Sequence, residues 1–262
     1  MTNGFFSRIG DEIGHWRRSD WTFADVGTFW DGVAEEYDEI NSHTVSYFRR
    51  FLDTLRLADL PDHSYFLDIC SRTGNGTAFF SKHGKVKSAV CADVSEKMGE
   101  ICQKRLEENG VKDFKWTLIQ DYSLPFPDCE FDVVLCLETV EHVSKPEQLV
   151  KDLGRVIKPN GVMILSTPNV LWEAVHAFAA VMKIHHSEGP HRFIRYRRLV
   201  NLIQDAGFRI DTAQTTVLVP QGPAWLVRIG DIIEDRFRNT LMPLIGLRRI
   251  FVCRRVEEGK IH

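Results

Sequence analysis

No apolar run in these 262 residues approaches the roughly 20 needed to cross a bilayer, which excludes a helical membrane span. The first residues lack the apolar core of a signal peptide, so a soluble, cytoplasmic chain is expected. Basic residues are not in excess: 33 Lys and Arg face 36 Asp and Glu, for a net charge of −3. No overall positive field recruits nucleic acid, and none is expected as a partner. The six cysteines (Cys70, Cys91, Cys102, Cys129, Cys136, Cys253) form no C-x-x-C pair and several sit in apolar strand patterns, which reads as reduced core thiols. The G-x-G-x-x-G fingerprint is absent, which argues against a nicotinamide-dependent oxidoreductase. Internal repeats and low-complexity tracts are missing too.

What is present is a globular composition, 44% hydrophobic and 26% charged, enough to bury one full α/β core. Strand patterns fall at 64–70, 87–93, 114–119, 131–137, 161–167, 208–217 and 248–254, with helices at 76–83, 95–109, 145–157 and 196–206 between most of them. That alternation predicts a Rossmann-like α/β fold: a doubly wound, mostly parallel, seven-stranded sheet with helices on both faces. The near-continuous apolar runs Phe131–Leu137 and Val162–Leu165 suit strands buried on both sides. Residues 1–60 read as an N-terminal helical extension and lid, and 61–262 as the main domain. Two stretches, about 170–194 and 222–240, interrupt the rhythm and are expected to cover a substrate.

The extension holds three helical patterns. Phe5, Phe6, Ile9, Ile13 and Trp16 share a face within residues 3–18, with arginines between and beyond. Such a helix packs on the domain or on a partner chain; alternatively it makes a peripheral membrane contact. Trp30, Val33, Ala34 and Tyr37 share a second face, either structural or closing over a ligand. In 45–57, Phe48, Phe51, Leu52 and Leu55 form the third.

The organising stretch is 64–76, Ser-Tyr-Phe-Leu-Asp-Ile-Cys-Ser-Arg-Thr-Gly-Asn-Gly: a short strand, Asp68, a turn with Gly74 and Gly76, then a helix start. This is the opening of a nucleotide-binding αβ unit. Its acid suits a ligand that offers hydroxyl or ammonium donors. Asp93 ends the second strand near the spacing at which a carboxylate accepts ribose hydroxyls. Asp121 follows the third strand and suits an adenine amino group, and Glu138 and His142 follow the fourth.

The series resembles the class I S-adenosylmethionine (SAM) dependent methyltransferases, within them the ubiquinone/menaquinone-biosynthesis type. Leu67-Asp68-Ile69 with Thr73-Gly74, Asp93 with Ser95 and Met98, Asp121 through Asp132, Glu138 through Val143, and Leu153 through Gly161 carry the likeness. Trp30-Asp31-x-x-Ala34-x-x-Tyr37-Asp38 resembles that family's N-terminal helix. The resemblance implies SAM as cofactor, held by Trp30, Tyr37, Asp68, Cys70, Arg72, Gly74, Asp93, Val94, Met98, Asp121, Tyr122 and Leu137. Cys70 and Arg72 stand where the family has glycine, so the loop must fit without two of its glycines; the Arg72 guanidinium is a candidate partner for the methionine carboxylate of SAM.

Methyl transfer from a sulfonium is an in-line displacement in which the protein positions the acceptor and excludes water. Tyr37, Trp30 and Glu138 are candidates to face the sulfonium, and His142 to act as the base; Glu138 and His142 are the catalytic candidates. A helix-start histidine bonded to backbone is the plainer role for His142. The acceptor is expected to be a small or lipid-like, apolar molecule, with O- or C-methylation. A non-catalytic SAM-binding assembly or regulatory protein is the alternative. His185, His186 and His191 lack metal-ligand spacing, so no metal is expected. Arg192, Arg195, Arg197 and Arg198 read either as a solvated helix start or as partners of an anionic head group.

Overall fold

The computed structural model describes residues 21–42, 44–173, 175 and 192–256. Seven strands form one sheet: β1 (Ser64–Ile69), β2 (Val86–Asp93), β3 (Phe114–Leu118), β4 (Phe131–Leu137), β5 (Ile157–Pro168), β6 (Phe208–Thr216) and β7 (Arg248–Arg255). Their order is β3-β2-β1-β4-β5-β7-β6, with only β7 running against its neighbours. The expected architecture holds, and six of the seven expected strands fall within about two residues of the observed bounds; β5 begins four residues early. The reversal of order between β1 and β4 opens a crevice at the strand tips.

The period of two along β4 divides the core. Val134 and Cys136 point into one cluster, and Val133, Leu135 and Leu137 into the other; Phe131 joins the first through the register shift before Val133. Both faces are therefore apolar, and helices must cover both. On the first face lie α6 (Pro146–Val156) and α7 (Tyr196–Asp205), through Leu149, Leu153, Leu199 and Ile203. On the second lie the N-terminal helices α1 (Phe23–Asp31), α2 (Tyr37–Ser42) and α3 (Val45–Leu57), with α4 (Asn75–Lys82) and α5 (Glu96–Glu108) flanking β2.

Three expectations change. The pattern over 28–38 is not one helix: α1 ends at Asp31, Gly32 caps it, and a turn leads into α2. Trp30, Ala34 and Tyr37 still share a buried wall, because turn and helix together preserve their facing. In α3 the buried stripe is Tyr47, Arg50, Phe51 and Thr54, while Phe48 and Leu52 are exposed. A buried arginine rotated the face away from the purely apolar reading. Finally, α8 (Ala224–Phe237) turns Trp225, Ile229 and Ile232 outward and docks through Gly230 and Glu234. Glu234 accepts from Arg49 and from the Val217 amide. A short α9 (Met242–Ile245) then leads into β7. The helix expected over 3–18 and the loop with His185, His186 and His191 lie outside the described residues.

Candidate active site

Thr22 begins α1 with a reciprocal cap to Asp25, and the helix lands on the tip of β2. Contact there is close: a Cβ at Gly27 would sit 2.3 Å from the Val94 carbonyl oxygen. Asp31 accepts from the Ser95 hydroxyl at 2.6 Å. Between α1 and the tips of β2 and β3 lies a cavity of about 710 Å³, lined among others by Gly27, Thr28, Val94, Ile119, Asp121 and Tyr122. Phe23 meets the Tyr122 ring edge-on at 4.8 Å, and Tyr122 donates to or accepts from Ser144 and receives the Lys145 amide. Asp121 is exposed at this mouth, its Oδ1 taking the Ser123 amide.

A second, smaller cavity of about 80 Å³ lies over β1 and β4. Trp30, Tyr37, Tyr47, Arg50, Arg72, Glu138, Glu141, His142 and Arg248 line it. Its walls carry three arginines and two glutamates. The Arg50 guanidinium lies 4.0 Å over the Tyr47 ring, and its Nε makes no hydrogen bond. Glu141 Oε2 and the neighbouring Thr167 hydroxyl are buried together with no hydrogen-bond partner beyond each other. Burial, and then the charge of Glu138, push the Glu141 carboxyl well above the usual range. Buried groups without partners are costly, so a bound ligand is the natural complement. An unpaired cationic N–H and an unpaired carboxyl oxygen on one small cavity match a zwitterionic amino-acid end.

The loop between β1 and α4 joins the two cavities. Cys70, Arg72 and Gly74 have φ of 53°, 51° and 78°. Left-handed backbone favours glycine, yet the path is kept with two side chains aboard. At Gly74 the requirement is double, since a Cβ would meet Cys102 Sγ at 2.8 Å. Asp93 holds this loop by accepting the Arg72 amide at 2.8 Å and the Ser95 amide at 3.0 Å. Burial raises the Asp93 carboxyl and those bonds oppose the rise. Asp68 accepts the Thr77 hydroxyl at 2.8 Å, and burial pushes its pKa to about 6 against the Thr77 bond and the charges of Arg50 and Arg72.

The expected residues thus separate into groups. Trp30, Tyr37, Arg72, Glu138 and His142 border the small cavity, and Val94, Asp121 and Tyr122 the large one. Asp68, Cys70, Gly74, Asp93, Met98 and Leu137 border neither. Asp68 and Asp93 shape the loop, while Met98 and Leu137 are core. The Arg72 guanidinium donates to the carbonyls of Leu137 (3.0 Å) and Glu138. Glu138 Oε1 accepts from Ser166 and from Arg248 at 2.7 and 3.0 Å. Burial would raise the Glu138 carboxyl, but Arg248 and Ser166 hold it below the usual range, which makes it a weak base. The His142 ring meets Trp30 edge-on at 5.8 Å, and its Nε2 lies 3.9 Å from Glu141 Oε1. No residue of α8 borders either of these two cavities. Among the described residues no cluster of three His, Cys, Asp or Glu side chains could hold a metal, and no helix is long and apolar enough to cross a membrane.

Arg50, Tyr47, Glu141 and Arg248 went unread in the sequence. The signal for the first two was a tyrosine and an arginine three residues apart on the stripe that also carries Phe51 and Thr54.

A reversed strand order at β1/β4, an acid at each of the first strand tips and a turn with left-handed backbone define a Rossmann-like nucleoside-binding unit. Residues 67–165 match the family model described as a methyltransferase domain, and this part of the chain is similar to the class I SAM-dependent methyltransferases, a likeness that points to SAM as its cofactor. The chain is 28% identical over 144 residues to the ubiquinone/menaquinone biosynthesis C-methyltransferase UbiE of Pseudomonas entomophila, covering 53% of this chain and 56% of that one. It is 30% identical over 99 residues to the uncharacterized methyltransferase YcgJ of Bacillus subtilis, 38% of each. The chain therefore spans about half the length of the curated relatives it matches. Among solved structures, the [4+2]-cyclase SpnF superposes with a TM-score of 0.68 at 16% identity, covering 90% of this chain and 96% of that one. YcgJ from Bacillus subtilis superposes at 0.58 and 19% identity, covering 80% and 100%. These two likenesses speak for the fold alone.

Proposed function

We propose that the chain transfers a methyl group from SAM to a small or lipid-like, apolar acceptor by in-line displacement. The observation that carries the reading is the pairing of a nucleoside-sized cavity with a small one bearing unpartnered Arg50 Nε and Glu141 Oε2. The residues fit the cofactor: Val94, Asp121 and Tyr122 would take the adenosine, and Arg50 and Glu141 the amino-acid end. SAM supplies an activated methyl on a sulfonium, so the protein need not create a leaving group. Trp30 and Tyr37 exclude water and offer aromatic faces to a cation. The ionised Glu138 adds negative charge at the same wall. His142 is the group placed to take a proton from the acceptor, with Glu141 3.9 Å behind it. The name of the UbiE relatives favours a carbon atom on a quinone-like acceptor.

Calorimetry with SAM followed by a methyl-transfer assay on extracted lipids and quinone precursors tests this. Binding with labelled product supports it. Binding without product favours a non-catalytic SAM-binding partner protein, a reading that the engaged state of Glu138 and the arginine at position 72 also support. With an acceptor in hand, His142→Ala is expected to lower turnover by about 10²-fold or more and leave SAM affinity nearly intact; unchanged turnover removes His142 from the role.

A further inference from the structure

Arg72 touches three strand tips. Its amide is fixed to Asp93 at the end of β2, and its own backbone follows β1. The guanidinium reaches the Leu137 and Glu138 carbonyls at the end of β4. It lies on the wall of the 80 Å³ cavity, beside Glu138 and the unpartnered Glu141 oxygen. The backbone there is left-handed, φ 51°, a conformation glycine adopts freely. With glycine at 72 the two carbonyls would be bare, and the cavity would grow by most of an arginine side chain.

Those carbonyls and the surrounding carboxyls form a site for a cation. SAM brings two cationic groups, a sulfonium and an ammonium, whereas the chain already supplies one of its own. We infer that Arg72 is a tethered competitor for the amino-acid end of SAM: its guanidinium must leave Leu137 O and Glu138 O before that end is seated. Being tethered, it competes at high effective concentration and needs no other ligand to do so. The nucleoside cavity is lined by other residues, so adenosine recognition is independent of it. The inference rests on the reading of this crevice as a SAM site.

The test is calorimetry on the full chain and on Arg72→Gly with two probes, SAM and 5′-methylthioadenosine, which lacks the amino-acid end. Arg72→Gly is expected to bind SAM about tenfold tighter, the scale of one lost charge-assisted bond, and methylthioadenosine within about twofold of the parent. Arg72→Asn, uncharged and tolerant of left-handed backbone, gives the same direction and serves if the glycine variant unfolds. SAM binding that is unchanged or weaker in both variants, with methylthioadenosine still bound, overturns the competitor and leaves the cofactor reading standing. Failure of both probes on every protein overturns the cofactor reading and the competitor with it.

Discussion

The two cavities on either side of α1 are built on different principles. The larger is walled by Gly27, Val94, Ile119 and Tyr122, with the exposed acids Glu96 and Asp121 and the half-buried Asp31 on its rim. A ligand there gains contact area and few bonds, and close approach of backbone is what it needs. The smaller concentrates three arginines and two glutamates in about 80 Å³, most of them buried. There each charge is expensive alone and valuable when matched. On the proposed reading, shape accepts a nucleoside in the first cavity, whereas charge selects its substituent in the second.

The largest expected effect breaks the first cavity. Gly27→Val places a side chain on the Val94 carbonyl, which at 2.3 Å admits none. Destabilisation of about 2–3 kcal/mol in a thermal melt and loss of methylthioadenosine binding are expected; a variant that melts and binds like the parent would remove α1 from the cavity wall. Next, Glu141→Gln keeps shape and replaces a carboxyl, held toward its protonated form by burial and Glu138, with an amide that cannot ionise to meet a cationic ligand. SAM affinity is expected to fall by about 10- to 100-fold with methylthioadenosine unaffected; equal losses for both would erase the distinction between the two sites.

Asp68 sharpens it through pH. Its folded pKa, about 6, lies above the unfolded value of 3.8, so the native state binds the extra proton in between. Stability therefore falls as pH rises from about 4 to 6, by on the order of 2 kcal/mol. Asp68→Asn is expected to flatten that slope in denaturant titrations at pH 4 and pH 7; a slope that persists assigns it to other groups. The smallest effect is a control: Lys104, whose pairing with Glu108 is exposed and 4.0 Å long, should change stability by less than about 0.5 kcal/mol as Lys104→Ala.

Strands, most helices and the acids at 68, 93 and 121 were legible because periodicity and turn chemistry are local. The α3 face was not. Phe48 and Leu52 suit a buried stripe by composition, but the helix turns Arg50 and Tyr47 inward to meet the crevice. Glu138 was legible as a candidate to face the sulfonium, but its ion pair with Arg248, 110 residues away, was not. Asp93 was legible as a ribose-ligand candidate; that it also fastens the loop that starts at Cys70 was not.

The sequence by itself determined the doubly wound sheet, since β4 and β5 are apolar on both faces and must be covered on both. It determined the left-handed turn at Gly74 and the line of acids along the strand tips. Only the tertiary structure decided which charges meet. Arg50, Arg72 and Arg248 arrive from a helix, a loop and a strand far apart in the chain, and their pairing depends on distances that no local pattern encodes.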